Sequence, residues 1–466
     1  MVGGGDDNVV VPVSPVAACQ KAAWLPLDII IAEIAARSGP ATLVPCASTC
    51  RDARRRIAED PDLRGRLRLR DTERFVLPIL RGHMTIITTY TRGAFMSKSK
   101  TDVYLVDAAA TTAADSTRLV KATFASGAEA ETLSNVVPMD SRRGLFLVHA
   151  TTTTRTNPYQ YQRQLFVWNP ATRRRLVLPP EPAFPEDDPD AGRSTDYVLL
   201  VDDSDGEGAG AGADAAVGRP FQVLKSKLVL SEKYRSHRRL LVQTFSSEHA
   251  AWSPCTEIST PNLHGSDSSP SPLQRRPLVI GDVVHWLCLT DSGSYMLMLH
   301  VRAARVNVTA LPASFLRDAK NNHRYDQRHQ YHYHPYDERH QYLLATATAG
   351  GNPVVLVADA DRISAWEQSK HTKMWKPRPH VVIENETMLR FMRNKCVPRL
   401  ELFGEKSGAL LLRIHGCRLL WLDLHTKKIL RCFSLDRLSY AEVYCLYEMD
   451  LSSWVPTFNS AVISFD

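Results

Sequence analysis

The chain contains no apolar run long enough to span a bilayer as a helix, which takes roughly eighteen residues. Even its richest stretch, "ALLLRIHGCRLLWLDL", is broken by Arg413, His415 and Arg418. No CxxC pair or zinc-finger spacing links the nine cysteines, Cys19, Cys46, Cys50, Cys255, Cys288, Cys396, Cys417, Cys432 and Cys445. An odd number of scattered thiols argues for reduced core residues rather than a disulfide framework, and so for an intracellular protein of cytoplasm or nucleus. P-loop, GxSxG, HExxH and dinucleotide-binding patterns are all missing. "GEGAGAGADAAVG" mimics a Gly-rich phosphate loop, but it is acidic and lacks a strand-to-helix context. Residues 1–23 have neither the basic start nor the unbroken apolar core of a secretory signal, and read as a disordered leader.

What is present is ordinary globular composition, 44% hydrophobic and 23% charged over 466 residues. This length predicts one small and one large domain. The formal charge of +7 is concentrated in Arg runs, which suit an acidic protein partner or nucleic acid. The densest run, Arg54 to Arg56 followed by Arg64, Arg66, Arg68 and Arg70, has no aromatic residue to stack a base until Phe75, which disfavours nucleic acid.

The stretch 24–66, "WLPLDIIIAEIAARSGPATLVPCASTCRDARRRIAEDPDLRGR", has helical periodicity. Leu27, Ile30, Ile31 and Ile34 follow i, i+3, i+4, i+7 along one face. Pro26 suits a first turn, Gly39 a left-handed cap, and Pro40 the opening of a second helix, on which Leu43, Cys46 and Cys50 share a face. Two or three such short helices cannot bury one another fully, so the unit needs a partner or serves as a cap on the larger domain. The residues "LPLDIIIAEIAARS", "TCRDARRRI" and "EDPDLRGR" resemble an F-box, the module that docks on the Skp-type adaptor of cullin ubiquitin ligases. That resemblance implies adaptor contacts through Leu25, Pro26, Ile30, Ile34, Leu43, Cys46, Cys50 and Arg51. Ala53 stands where the family has tryptophan, and Pro45 falls inside the second helix.

After a connector at 67–84 the pattern changes to short apolar alternations separated by Gly, Asp, Asn and Pro. The clearest predicted strands are 102–108, 144–150, 164–170, 196–203, 239–245, 282–290, 295–301, 352–360, 409–415 and 418–424. No helical periodicity intervenes, so a parallel α/β fold is not expected. A strand, polar turn, basic residues and second strand recur at 165–180, 296–315 and 419–435, with a looser copy at 354–368. Hairpins that cannot bury both faces alone and recur along a chain stack radially as a β-propeller, here of six to eight blades over 85–466. The turn "WNPATRRRLVLPP" also resembles that of grass-type plant F-box proteins with a C-terminal propeller-like domain. The acidic Gly/Ala-rich stretch near 180–220 and "HGSDSSPSP" at 264–272 read as disordered insertions.

The segment 321–342 gathers His323, His329, His332, His334 and His340 among Tyr and Arg. Without apolar anchors to fix a tetrahedral set, it is a solvated rim and a candidate for substrate contact rather than a metal site. Cys50 beside Arg51 has the makings of an activated thiol, but it lies on an apolar helix face with no nearby His, so a packed thiol is the reading.

Together the sequence predicts a small α-helical F-box domain followed by an all-β, propeller-like domain. The F-box resemblance implies a non-catalytic ubiquitin-ligase adaptor with no cofactor. It would bind a Skp-type protein, and through it a cullin, at one end and an unidentified target at the other. Two alternatives stay open: a propeller scaffold with a degenerate F-box, and a propeller enzyme or sugar-binding module marked by convergent polar groups at the propeller centre.

Overall fold

The computed structural model describes residues 79–449, apart from the longer interior stretches 108–118, 125–132, 186–194, 202–216, 230–237, 265–275, 316–341, 385–396 and 435–441 and gaps of one to four residues elsewhere. The stretch 24–66, read from sequence as helical and holding every residue assigned to adaptor docking, lies outside the described residues, as do the histidines of 321–341.

Six antiparallel sheets follow one another around a ring, five of four strands and one of five, so the protein is a six-bladed β-propeller. Blades 2 to 6 are each a meander whose first strand lies innermost. Blade 1 is built differently. Its second to fourth strands come from the beginning of the described chain, and its inner strand is Glu442–Glu448, paired antiparallel with Leu80–Arg92. This pairing closes the ring and is reinforced by the Met449 N–H donating to the Ile79 carbonyl (2.8 Å). The first strand therefore opens at Leu80, inside the stretch read from sequence as a connector.

Each blade buries both faces, one against each neighbour, because successive side chains on a strand point to opposite sides. In blade 2, Phe146, Val148, Phe166 and Trp168 pack against Met84 and Val103 of blade 1. The intervening Leu145, Leu147 and Val167 pack against Val223 and Phe245 of blade 3. The other four interfaces repeat the scheme: Leu224 and Leu240 with Trp286 and Leu297, Leu287 and Met296 with Val355 and Trp366, Leu356 and Ile363 with Leu410 and Leu420, and Leu411 and Trp421 with Leu80 and Val106. The core is thus six wedges around an axis.

The sequence repeat corresponds to one local device. In blades 2, 3, 4 and 6 the third and fourth strands are joined by four residues, the last of which is left-handed: Arg173 (φ 57°), Ala250 (φ 50°), Ala304 (φ 46°) and Lys427 (φ 57°). The residue opening two of these turns ties them. Asn169 Oδ1 accepts the Thr172 N–H (3.4 Å), and Asp423 accepts the His425 N–H (2.9 Å) and the Thr426 hydroxyl (2.6 Å). None of the four left-handed positions is glycine, so each carries a steric cost. Replacing Ala250 or Ala304 by glycine is expected to stabilise the protein by up to about 1 kcal/mol, read as a raised urea midpoint. An unchanged midpoint would mean that the turn relaxes freely.

Part of the 180–220 stretch belongs to the propeller rather than to an exposed insertion. Asp196–Val201 is the inner strand of blade 3, and Phe184 and Val217 are buried. The buried Lys225 draws residues 181–184 onto the blade, donating to the Pro182 carbonyl (2.6 Å), facing Glu181 (3.4 Å) and sitting 4.5 Å from the Phe184 ring centroid. Of the cysteines within the described residues, Cys288 and Cys445 are buried as expected of core thiols, whereas Cys432 is exposed.

Candidate functional site

The six inner strands surround a central cavity of about 880 Å³. It is lined by the ends of those strands, by the turns that follow them, and by Ser246, Glu248, Val301 and Arg302 from third-to-fourth-strand hairpins, so it opens on the face that carries these turns.

At its centre, charged side chains from alternate blades meet. Arg142 ends the inner strand of blade 2, Leu133–Arg142, immediately before the tight turn at Arg143 (φ 48°) and Gly144 (φ 78°). The two successive positive-φ residues reverse the chain in the way a two-residue hairpin requires. The Arg142 guanidinium donates to Glu405 of blade 6, lies 3.5 Å from Asp140 and reaches the Pro277 carbonyl of blade 4 at 3.4 Å. Glu405 in turn accepts the Val279 N–H of blade 4 (3.1 Å). Blades 2, 4 and 6 are thereby tied across the axis. Asp140 accepts the N–H of Ser141 (2.8 Å) and of Leu199 in blade 3 (2.8 Å), and the Ser141 hydroxyl donates to the Leu446 carbonyl of the closing strand.

A second cluster lies deeper. Glu401 is buried and receives Arg413 Nε at 2.6 Å, with Arg399 Nε at 3.5 Å. Burial works against its charge, but Arg413, Arg276 and Arg399 outweigh it and hold the carboxyl below its ordinary range. Arg276, from the segment entering blade 4, is itself lowered by burial, against the pull of Glu401.

Glu448 closes the ring chemically. Its carboxylate accepts the Ser407 N–H (2.8 Å) and the Lys406 N–H (3.3 Å) of the blade 6 turn. A side chain at Gly404 would run into Glu448 Oε1 and Ser407 Oγ, which is why the turn needs glycine there. Burial raises Glu448 and Asp140 above the usual carboxylate range despite these donors, and the neighbouring Glu405 adds to both. Burial likewise pushes the Tyr447 hydroxyl up to about 12 and the Cys445 thiol well above its ordinary range. Cys445 is therefore a poor nucleophile.

Two buried histidines flank this network. His83 lies between the Trp421 and Phe433 rings, with centroids at 5.7 and 6.2 Å, and burial drives it down to about 3, with Glu401 opposing and Arg413 assisting. His285 falls to about 4, again by burial, with the Leu278 and Val283 backbone and Glu405 opposing and His300 assisting. Below an unfolded value near 6.5 the unfolded chain takes up protons that the folded chain refuses, so stability falls as the pH drops through that window. Between pH 7 and pH 5 each histidine withdraws about 2 kcal/mol; the raised Asp140 and Glu448 act with the opposite sign. His83→Leu should flatten the pH dependence of the urea-unfolding free energy by about that amount, and an unaltered slope would mean that His83 takes up its proton as readily in the fold as in the unfolded chain.

None of the axial residues was singled out from sequence. Among the described residues, no three His, Cys, Asp or Glu side chains come together as a metal site, and no helix is long and apolar enough to cross a membrane.

The fold and site define a six-bladed propeller with a charged, cross-tied axis. The chain belongs to the family described as Domain of unknown function (DUF7595), whose model matches residues 104–460 and leaves 24–66 outside. No curated protein matches it. Among solved structures it is similar to TolB from Acinetobacter baumannii (7% identity, TM-score 0.34, covering 78% of this chain and 66% of that one). It is also similar to a protein from Lactobacillus plantarum (10%, TM-score 0.33, 78% and 98%). A third similar structure comes from a study of two prolyl endopeptidases (9%, TM-score 0.28, 65% and 36%). The chain thus spans less than two thirds of the TolB chain, and these alignments are too loose to transfer a function.

Proposed function

We propose that this protein is a non-catalytic substrate adaptor of a cullin-type ubiquitin ligase. Residues 24–66 dock on a Skp-type protein through Leu25, Pro26, Ile30, Ile34, Leu43, Cys46, Cys50 and Arg51, and the propeller holds a target. No bond is made or broken by this chain; it raises the effective concentration of target beside the ubiquitin-carrying enzyme. The observation that carries the reading is the F-box-like sequence at 24–66 placed ahead of a propeller. The cavity supports it, because the charged groups at its centre are spent on one another and on backbone amides. The test is titration calorimetry of the full chain against a Skp-type adaptor. Saturable binding that Leu25→Ala/Pro26→Ala abolishes is the expected result; no binding by the unaltered chain would refute it.

Two further readings each have an observation of their own. Ala53 and Pro45 favour a scaffold whose docking motif has degenerated, and Ala53→Trp would then strengthen adaptor binding. The convergence of Asp140, Glu405 and Glu448 on the cavity, with Asp140 and Glu448 raised, favours a propeller acting on or binding a sugar. Glycoside hydrolysis or glycan binding lost in Glu448→Gln would support that second reading over recruitment.

A further inference from the structure

We infer that the hairpin face of the propeller binds an acidic polypeptide segment, and that this is the chemistry by which it selects a target; the second clause rests on the recruitment reading above. The recurrent turns place exposed basic residues in alternate blades: Arg173 and Arg174 in blade 2, Arg302 and Arg305 in blade 4, Lys427 and Lys428 in blade 6, of which Arg174, Arg305 and Lys428 each open the fourth strand. All lie on the face where the central cavity opens, since first-to-second and third-to-fourth strand connections emerge at the same end of an antiparallel blade. Arg143 and Lys406 line the mouth inside this ring.

The carboxylates beneath offset it only in part. Arg142 faces both Glu405 and Asp140, while Glu448, bonded to the amides of residues 406 and 407, and Asp423, bonded within its own turn, keep their charge. Among the described residues lining the cavity, Glu248 and Asp282 are the exposed acids. The basic groups of the rim and mouth, with Arg142, outnumber Asp140, Glu405, Glu448, Asp423, Glu248 and Asp282, so the potential over the mouth is positive, and a cleft with low-dielectric walls concentrates that field. Leu278, Val301 and Phe403 on the cavity wall give an apolar side chain of the bound segment somewhere to go.

The choice of polypeptide over nucleic acid has its own observation. Single-stranded nucleic acid is gripped by aromatic faces as well as by charge. Among the residues whose side chains are described, no Phe, Tyr or Trp is exposed. Carboxylates, by contrast, need only the forked donors of arginine and the point charges of lysine, which this rim supplies.

The test uses the full chain and a fluorescent peptide of alternating glutamate and glycine, with an alternating lysine peptide as control. Anisotropy should show saturable binding of the acidic probe alone, weakening as salt is raised. Each reversed pair, Arg173→Glu/Arg174→Glu, Arg302→Glu/Arg305→Glu or Lys427→Glu/Lys428→Glu, should weaken it by about tenfold or more. Arg362→Glu, an exposed position on the opposite face, should leave binding unchanged. Matching circular dichroism and melting would show that the variants fold. Binding indifferent to all three pairs, or single-stranded RNA displacing the peptide at lower concentration, would overturn the inference. Measuring adaptor binding on the same variants separates the two claims. Probe binding by a chain that ignores the adaptor removes recruitment and leaves the acidic site; adaptor binding without probe binding does the reverse.

Discussion

Arg142→Met is expected to lower the unfolding free energy by roughly 3–5 kcal/mol, because it strands charges that the fold has taken out of water. The Arg142 side chain is only 10% exposed, and Glu405 and Asp140 sit against it in the axis. Burial alone would disfavour its charge, but Glu405 and Asp140 more than compensate and raise its pKa. With the guanidinium gone, Asp140 keeps its two amide donors, whereas the half-buried Glu405 keeps the Val279 N–H. Arg142→Met/Glu405→Gln should recover a substantial part of the loss, since removing both partners of a buried pair costs far less than removing one. Chemical denaturation of Arg142→Met, Glu405→Gln and the double variant decides the matter. A double variant as unstable as the sum of its single changes would mean that the two groups do not act as a pair.

Ending the chain before Glu442 should abolish cooperative unfolding. The closing strand supplies the inner edge of blade 1, and with it Cys445 for the blade 1–2 core, Leu446 for the blade 6–1 core, and the carboxylate that organises the blade 6 turn. Without it, Leu80–Arg92 becomes an exposed, unpaired edge, which promotes aggregation. The ring opens at one of its six wedges. A synthetic peptide of residues 440–450 added during refolding should restore part of the near-ultraviolet dichroism. A truncated chain with an unchanged denaturation midpoint would show that blade 1 holds without its closing strand.

The strands legible in the sequence share a structural position. Those at 102–108, 144–150, 164–170, 239–245, 282–290, 295–301, 352–360, 409–415 and 418–424 are second or third strands of a blade, covered by a neighbour on both faces, and so read as continuous apolar runs. Only 196–203 is an inner strand. In the inner strands Leu133–Arg142 and Arg399–Phe403 the requirement that puts Asp140, Arg142 and Glu401 at the axis interrupts the alternation by which a strand is recognised, and Leu278–Ile280 is too short to show one. The repeat was visible because, of the four blades that share one turn, blades 2, 4 and 6 carry basic residues there, and these were part of the pattern. The looser copy at 354–368 proves to be a second-to-third strand hairpin, out of phase with the other three.

The axial site was not legible, for a related reason. Arg142, Glu405 and Val279 are brought together by ring closure, and no local spacing encodes the meeting of blades 2, 4 and 6. The closing strand is hidden in the same way: "EVYCLYE" carries no mark of its pairing with a strand near the other end of the propeller. Only the cavity's polar character was anticipated, as the mark of an enzyme or sugar-binding alternative, and most of that polarity is turned inward on the fold.

The most direct test of the two-ended account is a capture experiment. A Skp-type adaptor is immobilised, the full chain and the fluorescent acidic peptide are passed over it, and both retained species are measured. The account predicts that the unaltered chain carries the peptide onto the adaptor and that Leu25→Ala/Pro26→Ala removes both signals. Reversing Arg302 and Arg305 to Glu should keep the chain and lose the peptide. Retention of the chain after the Leu25/Pro26 change, or failure of the unaltered chain to be retained, would contradict it.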